Sequence, residues 1–179
     1  YNASALHHLG LIAFQSGQNT EAVKYLKSAA AADPSRGDIM ADMGVIHRQL
    51  GDLAKAENHL KRACFLAPES AAHLYNLGLV LGDQDKLEEA ETTYREAVRL
   101  DPEHAPARNN LGNILKRLNR HADALGAYEE ALAADPGYAA ALKNKADVLE
   151  QSGRVEEADA AYTAALQIRP EGGILIRDA

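Results

Sequence analysis

The apolar positions between residues 71 and 104 fall into two helical stripes separated by a polar break. Leu74, Leu77, Gly78 and Leu81 recur at three- and four-residue spacing, which puts three aliphatic side chains and one bare patch of backbone on a single helix face. Gly82, Asp83, Gln84 and Asp85 interrupt that face. Leu87, Ala90, Tyr94, Ala97, Val98 and Leu100 then form a second stripe. Asp101-Pro102 ends it, because proline lacks a backbone donor and disfavours helical geometry in the residue before it. Asp85, with Glu88 three residues on, reads as a capping box for the second helix. Two helices this short cannot bury both stripes alone; they need copies of themselves on either side.

The chain supplies the copies. A shift of 34 residues aligns Gly10, Gly44, Gly78 and Gly112, with Ala146 at the fifth place. The same shift aligns Ala22, Ala56, Ala90, Ala124 and Ala158, then Ala29, Ala63, Ala97, Ala131 and Ala165. Prolines recur at Pro34, Pro68, Pro102, Pro136 and Pro170. The flanking pattern predicts helices over 3–16 and 19–32, 37–50 and 53–66, 105–117 and 121–134, and 139–152 and 155–168, beside the pair already described. Asn19 and Asp52 read as N-caps, Ser35 with Asp38 as a capping box, and Pro106 as a first-turn proline. Glu57 and Lys61 form an i,i+4 pair worth a few tenths of a kcal/mol.

This spacing resembles the tetratricopeptide repeat family, whose helix–turn–helix unit carries that glycine, those alanines and that proline. The resemblance implies an all-α fold, a right-handed α-solenoid of five repeats at 3–36, 37–70, 71–104, 105–138 and 139–172. Residues 1–172 would form the repeat domain, and 173–179 a terminal cap or a linker to a following domain. The small residues are expected to let backbones approach closely, since larger side chains there would overpack at roughly 1–3 kcal/mol each. Lys145 and Ala146 depart from the family pattern, which implies looser packing in the last repeat. Leu26, Leu60, Tyr94, Tyr128 and Tyr162 share one place and are expected to be core rather than a cofactor box.

In this family the first helix of each repeat lines the concave side. The resemblance therefore assigns to the groove the residues five, six, nine, twelve and thirteen places into each repeat. These include His7, His8, Leu11, Phe14, Val45 and Arg48 in the first two repeats, then Tyr75, Asn76 and Leu79 in the third. In the last two they include Asn109, Asn110, Asn113, Lys116, Arg117, Lys143, Asn144 and Asp147. One end of the groove is thus rather apolar, and the other is amide-rich and partly basic. Asn76, Asn110 and Asn144 are 34 apart and would stack as a row. A primary amide donates and accepts at once, so such a row can grip the backbone of an extended peptide without reading its side chains. An inter-repeat hydrogen bond or simple solvated polarity explains the same row equally well. The row resembles the asparagine ladder of O-linked N-acetylglucosamine transferases, although His8 and Asp42 stand at its place in the first two repeats. Residues 174–179, ILIRDA, resemble the junction where bacterial transferases of that type begin their catalytic half. The Lys and Asn pattern of a chaperone-binding carboxylate clamp is not assembled.

Composition narrows the function. With 26 acidic against 19 basic residues the net charge is −7, the wrong sign for nucleic acid. No apolar run approaches a membrane span. Cys64 has no second cysteine to pair with and reads as a small buried hydrophobe. Glu88-Glu89, Glu129-Glu130 and Glu156-Glu157 recur on second helices and read as solvated. The seven histidines form no HExxH motif or Cys/His cluster, and neither a phosphate loop nor a nucleophile elbow is present. These observations lead to the expectation of no cofactor, no metal, no catalysis by this segment and a cytoplasmic setting. The chain opens on Tyr1 inside a helical pattern and reads as an excerpt of a longer protein. The expected function is a protein–protein interaction module holding a peptide or partner protein in its groove. The alternatives are a substrate-recruiting arm of a glycosyltransferase and a self-assembling scaffold whose apolar tail, Ile174 to Ile176, docks on a neighbour.

Overall fold

The computed structural model describes residues 2–168, and within them every regular element is a helix. These are α1 (Ala3–Gln15), α2 (Asn19–Ala32), α3 (Gly37–Gln49), α4 (Leu53–Leu66), α5 (Ala71–Asp83), α6 (Leu87–Leu100), α7 (Ala105–Arg117), α8 (His121–Ala134), α9 (Ala139–Gln151) and α10 (Val155–Gln167). Each odd-numbered helix pairs with the next to form a hairpin, giving an all-α solenoid. The chain divides into two compact units, Tyr1–Leu100 with α1 to α6 and Asp101–Ala179 with α7 to α10. The tail expected to act as a cap or linker, with Ile174, Leu175 and Ile176, lies outside the described residues.

One backbone requirement sets every hairpin turn. The residue fifteen places into each repeat has positive φ: Gly17 (75°), Gly51 (77°), Asp85 (63°), Asn119 (59°) and Gly153 (75°). Left-handed geometry is open to glycine without steric cost and is tolerated next best by Asn and Asp, so the sequence offers only those three types here. Asp85 is therefore the left-handed turn residue after α5, two places before α6 begins at Leu87. Two expected caps fail. Asn19 is already inside α2, and the capping position is Gln18, whose side chain makes no cap bond. Ser35 donates to Asp33 at 2.6 Å, while Asp38 is engaged by Arg36, so no capping box forms before α3. Asp52 does cap α4, accepting from the Lys55 N–H at 3.2 Å, and Pro106 sits in the first turn of α7. Three first helices and α10 end one residue earlier than the pattern predicts.

The 34-residue period of the glycines has a specific cause. A Cβ added to Gly44 would lie 2.5 Å from Leu60, one on Gly78 2.6 Å from Tyr94, and one on Gly112 2.5 Å from Tyr128. The glycine is thus a seat for the large side chain across the hairpin, rather than a place where two backbones meet. Leu26, Leu60, Tyr94 and Tyr128 are all buried on these seats, as core residues. In the last hairpin Ala146 replaces the glycine, and Tyr162 is only half-buried. Leu100, at the end of α6, is also half-buried and not a full core position.

Hairpins stack within each unit through the second helix of one and the first helix of the next: α2 on α3, α4 on α5 and α8 on α9. Leu26 and Ala29 of α2 join Ile39, Met43 and Ile46 of α3 in one core cluster. At the α8–α9 junction Lys145 replaces the apolar residue at the place of Met43 and pairs with Glu129 at 2.9 Å. First helices also touch one another, α3 with α5 and α7 with α9. That closeness puts the odd-numbered helices on the inner side of each unit.

Candidate functional site

The inner face of the first unit is lined by α1, α3 and α5. Leu11, Val45 and Leu79 occupy equivalent places there and are half-buried, giving a mixed aliphatic strip. Beside them Tyr75 stands at 6.2 Å, centroid to centroid, from the buried ring of Tyr94, in a tilted arrangement typical of aromatic pairs. Arg48 of α3 donates to Asp83 of α5 at 2.6 Å, which closes one edge. At the opposite edge His7, buried on α1, is held on both ring nitrogens. Arg36 donates to Nδ1 at 2.9 Å, so the proton resides on Nε2 and points to Asp42 Oδ2 at 2.6 Å. Arg36 also binds Asp38 and holds its carboxyl below the usual range.

The inner face of the second unit, from α7 and α9, is more polar. Asn109 is only 4% exposed. It accepts from Asn144 Nδ2 at 2.9 Å and donates to Asn110 Oδ1 at 3.3 Å. Asn113 accepts from the Tyr128 hydroxyl at 2.8 Å, and Asp147 accepts from the Tyr162 hydroxyl at the same distance. Burial pushes the Tyr128 phenol up, and the hydrogen bond to Asp147 does so for Tyr162; both stay protonated donors. Lys143 is exposed and reaches Asp147 at 3.3 Å, while Lys116 is half-buried and Arg117 exposed at the end of α7.

Two of these contacts follow one rule. His7 with Asp42, and Asn109 with Asn144, both join place five of one repeat to place six of the next, 35 residues on. The row expected from the 34-residue spacing is thus replaced, at Asn144, by a diagonal bond to Asn109. Asn76 is the exception in the first unit. The residue 35 positions before it is Ala41, whose methyl group can neither donate nor accept. The half-buried Asn76 amide makes no hydrogen bond among the described residues. The sequence pattern shows the three asparagines; stepping by 35 instead of 34 also exposes the diagonal and Ala41, but not Arg36, which lies 29 residues from His7.

Tetratricopeptide repeat models match residues 41–105, 75–137 and 109–172, and a second model of the same repeat matches 1–69. The chain belongs to the tetratricopeptide repeat family. Tetratricopeptide folds are in general protein–protein interaction modules, and the helices described here are of that type throughout. Among solved structures, a crystal structure of MamA is 25% identical with a TM-score of 0.82, covering 89% of this chain and 93% of that one. PilF of Pseudomonas aeruginosa is 26% identical with a TM-score of 0.85, covering 94% of this chain and 77% of that one. MamA from Desulfovibrio magneticus RS-1, at 20% identity and a TM-score of 0.84 over 93% of this chain and 94% of that one, shares the fold. No curated protein sequence matches the chain. Among the described residues no cluster of His, Cys, Asp or Glu is arranged to hold a metal ion, and no helix is long and apolar enough to cross a membrane.

Proposed function

We propose that the inner face of α1, α3 and α5 holds an extended segment of a partner protein, with Asn76 bonding its backbone. The observation that carries this reading is the half-buried Asn76 amide, whose counterpart 35 residues earlier is Ala41, a residue with no side-chain hydrogen-bonding group. At Asp42 and Asn144 the equivalent place is satisfied by the preceding repeat. An amide left without a partner keeps one acceptor and two donors in reserve, which matches the alternating carbonyl and N–H groups of an extended chain. Leu11, Val45, Leu79 and Tyr75 supply an adjoining apolar strip for side chains that point inward. Asn110, Asn113 and Asn144 serve the second unit mainly as internal ties, so the amide row of a glycosyltransferase arm draws less support than binding in the first unit.

The test uses peptides selected from a randomised library on the intact protein. Asn76→Ala should weaken each selected peptide about ten-fold, the equivalent of one well-placed hydrogen bond, whatever the peptide's side chains. Ala41→Asn should do the same by a different route, supplying Asn76 with the internal partner that Asn109 gives Asn144. Both variants should keep the helical circular dichroism. Unchanged affinity in both would remove the basis for the groove reading.

A further inference from the structure

A histidine stands where the other repeats place an aliphatic core side chain. The eleventh place of the five repeats is Ala13, His47, Leu81, Leu115 and Leu149, and all five are buried. His47, in the last turn of α3, is 7% exposed, and its Nε2 is buried without a hydrogen-bond partner. The half-buried His59 of α4 lies flat against it, with ring centroids 5.3 Å apart and 10° between the planes. The other repeats have Tyr25, Thr93, Ala127 and Ala161 at the place of His59. Two titratable rings are thus stacked in the seam of α3 and α4, and α3 packs on α2 as well. A neutral imidazole fills such a place as a flat, weakly polar ring, whereas an imidazolium there needs an acceptor.

We propose that His47 and His59 form a proton-sensitive latch, which holds α3 against α2 and α4 while both rings are neutral and releases that seam when they take up protons. The charges around the pair favour release. Lys27 of α2 and Lys55 of α4 face it, and two stacked imidazolium rings would repel each other as well. Asp52, ahead of α4, pulls the other way, but its carboxylate already accepts from Lys55 Nζ at 2.5 Å. On α5, Asp83 is bound by Arg48, the residue after His47, and His73 lies at the far end of its helix beside Gly37. Burial, more than any of these charges, holds both rings below the ordinary imidazole value of 6.5, and for His59 the neighbouring His47 adds to it. Each ring therefore binds its proton more readily once the seam has opened. The latch is at full strength above about pH 6.5 and weakens as pH falls below it. Carboxyl groups titrate near about 4, so the first stage of the loss belongs to the histidines.

Amide hydrogen exchange on the intact protein, at about pH 7.5 and about pH 5.5, tests the latch independently of the groove. The comparison is with the double variant His47→Leu and His59→Ala, whose new side chains other repeats already seat at the same two places. After correction for the intrinsic pH dependence of exchange, the wild type should lose protection in α3 and α4 at the lower pH. The loss should reach up to about ten-fold for each histidine, the limit for an imidazole one unit above the pH. The double variant should lose none of it, and α7 to α10 should behave alike in both proteins. In the wild type the ring protons of His47 and His59, followed by NMR, should titrate below 6.5. Ring titrations centred at or above that value would overturn the proposal whether or not the double variant folds. So would a double variant that loses the same protection, or a loss in the wild type that is as large in α7 to α10 as in α3 and α4.

Discussion

Glu57 shows how far a single residue can depart from what its local sequence promises. Its i,i+4 neighbour Lys61 is indeed paired with it at 2.6 Å. Yet Glu57 is also nine-tenths buried and takes a second cation, Lys86 at 2.7 Å, from the foot of the following hairpin's second helix. The bonds from Lys61 and then Lys86 hold its carboxyl down to about 2 from 4.5. A carboxyl depressed in the fold contributes its full stability above about pH 4.5 and loses it as pH falls towards 2. Glu57→Gln should cost about 1–2 kcal/mol at neutral pH, because both lysines are partly exposed and screened. It should also flatten the fall in urea midpoint across that acid range. A midpoint with the same acid slope as wild type would show that Glu57 is not the titrating tie. The pair within one helix was legible from spacing; the tie to Lys86 was not, because nothing local links residues 29 apart.

At the scale of the element, glycine plays opposite roles at two kinds of position. In α7, Gly112 is the seat of Tyr128, whose ring is fully buried and tethered through its hydroxyl to Asn113. Gly112→Ala should therefore destabilise by about 1–3 kcal/mol despite alanine's better helix propensity, since the ring cannot retreat. In α8, a Cβ on Gly126 would meet nothing within 4 Å. There the same change should stabilise, by up to about 1 kcal/mol. Urea unfolding of the two variants checks the pair, and a common sign would refute the seat assignment. The repeat glycines were visible as a period, but their reason was not, because only packing shows which side chain each one receives. The turn residues were equally visible at Gly17, Gly51, Asp85, Asn119 and Gly153. At Asp85 the left-handed turn was not legible from local pattern, because aspartate favours both a helix cap and that turn.

At the scale of the molecule, the hairpin repeat was legible almost throughout, since small residues recurring at a fixed period leave few architectures open. The inner faces were legible as sets of places and not as bonds. Spacing by 34 puts Asn110 and Asn144 in a row, whereas stacking joins Asn144 to Asn109, and the residue 35 before Asn76 is Ala41, which can form no such bond. Partner chemistry is harder to read, because a repeat must preserve its stacking faces and is free to vary the rest. The central claim is that the inner face of the first unit takes an extended peptide at Asn76. Side-chain and backbone amide NMR of the intact protein, titrated with a selected peptide, tests it most directly. The account predicts that the Asn76 side-chain NH2 resonances shift, together with backbone amides of α1, α3 and α5, while the outward faces of α2, α4 and α6 stay in place. Shifts confined to those outward faces or to the exposed ends, with Asn76 unmoved, would contradict it.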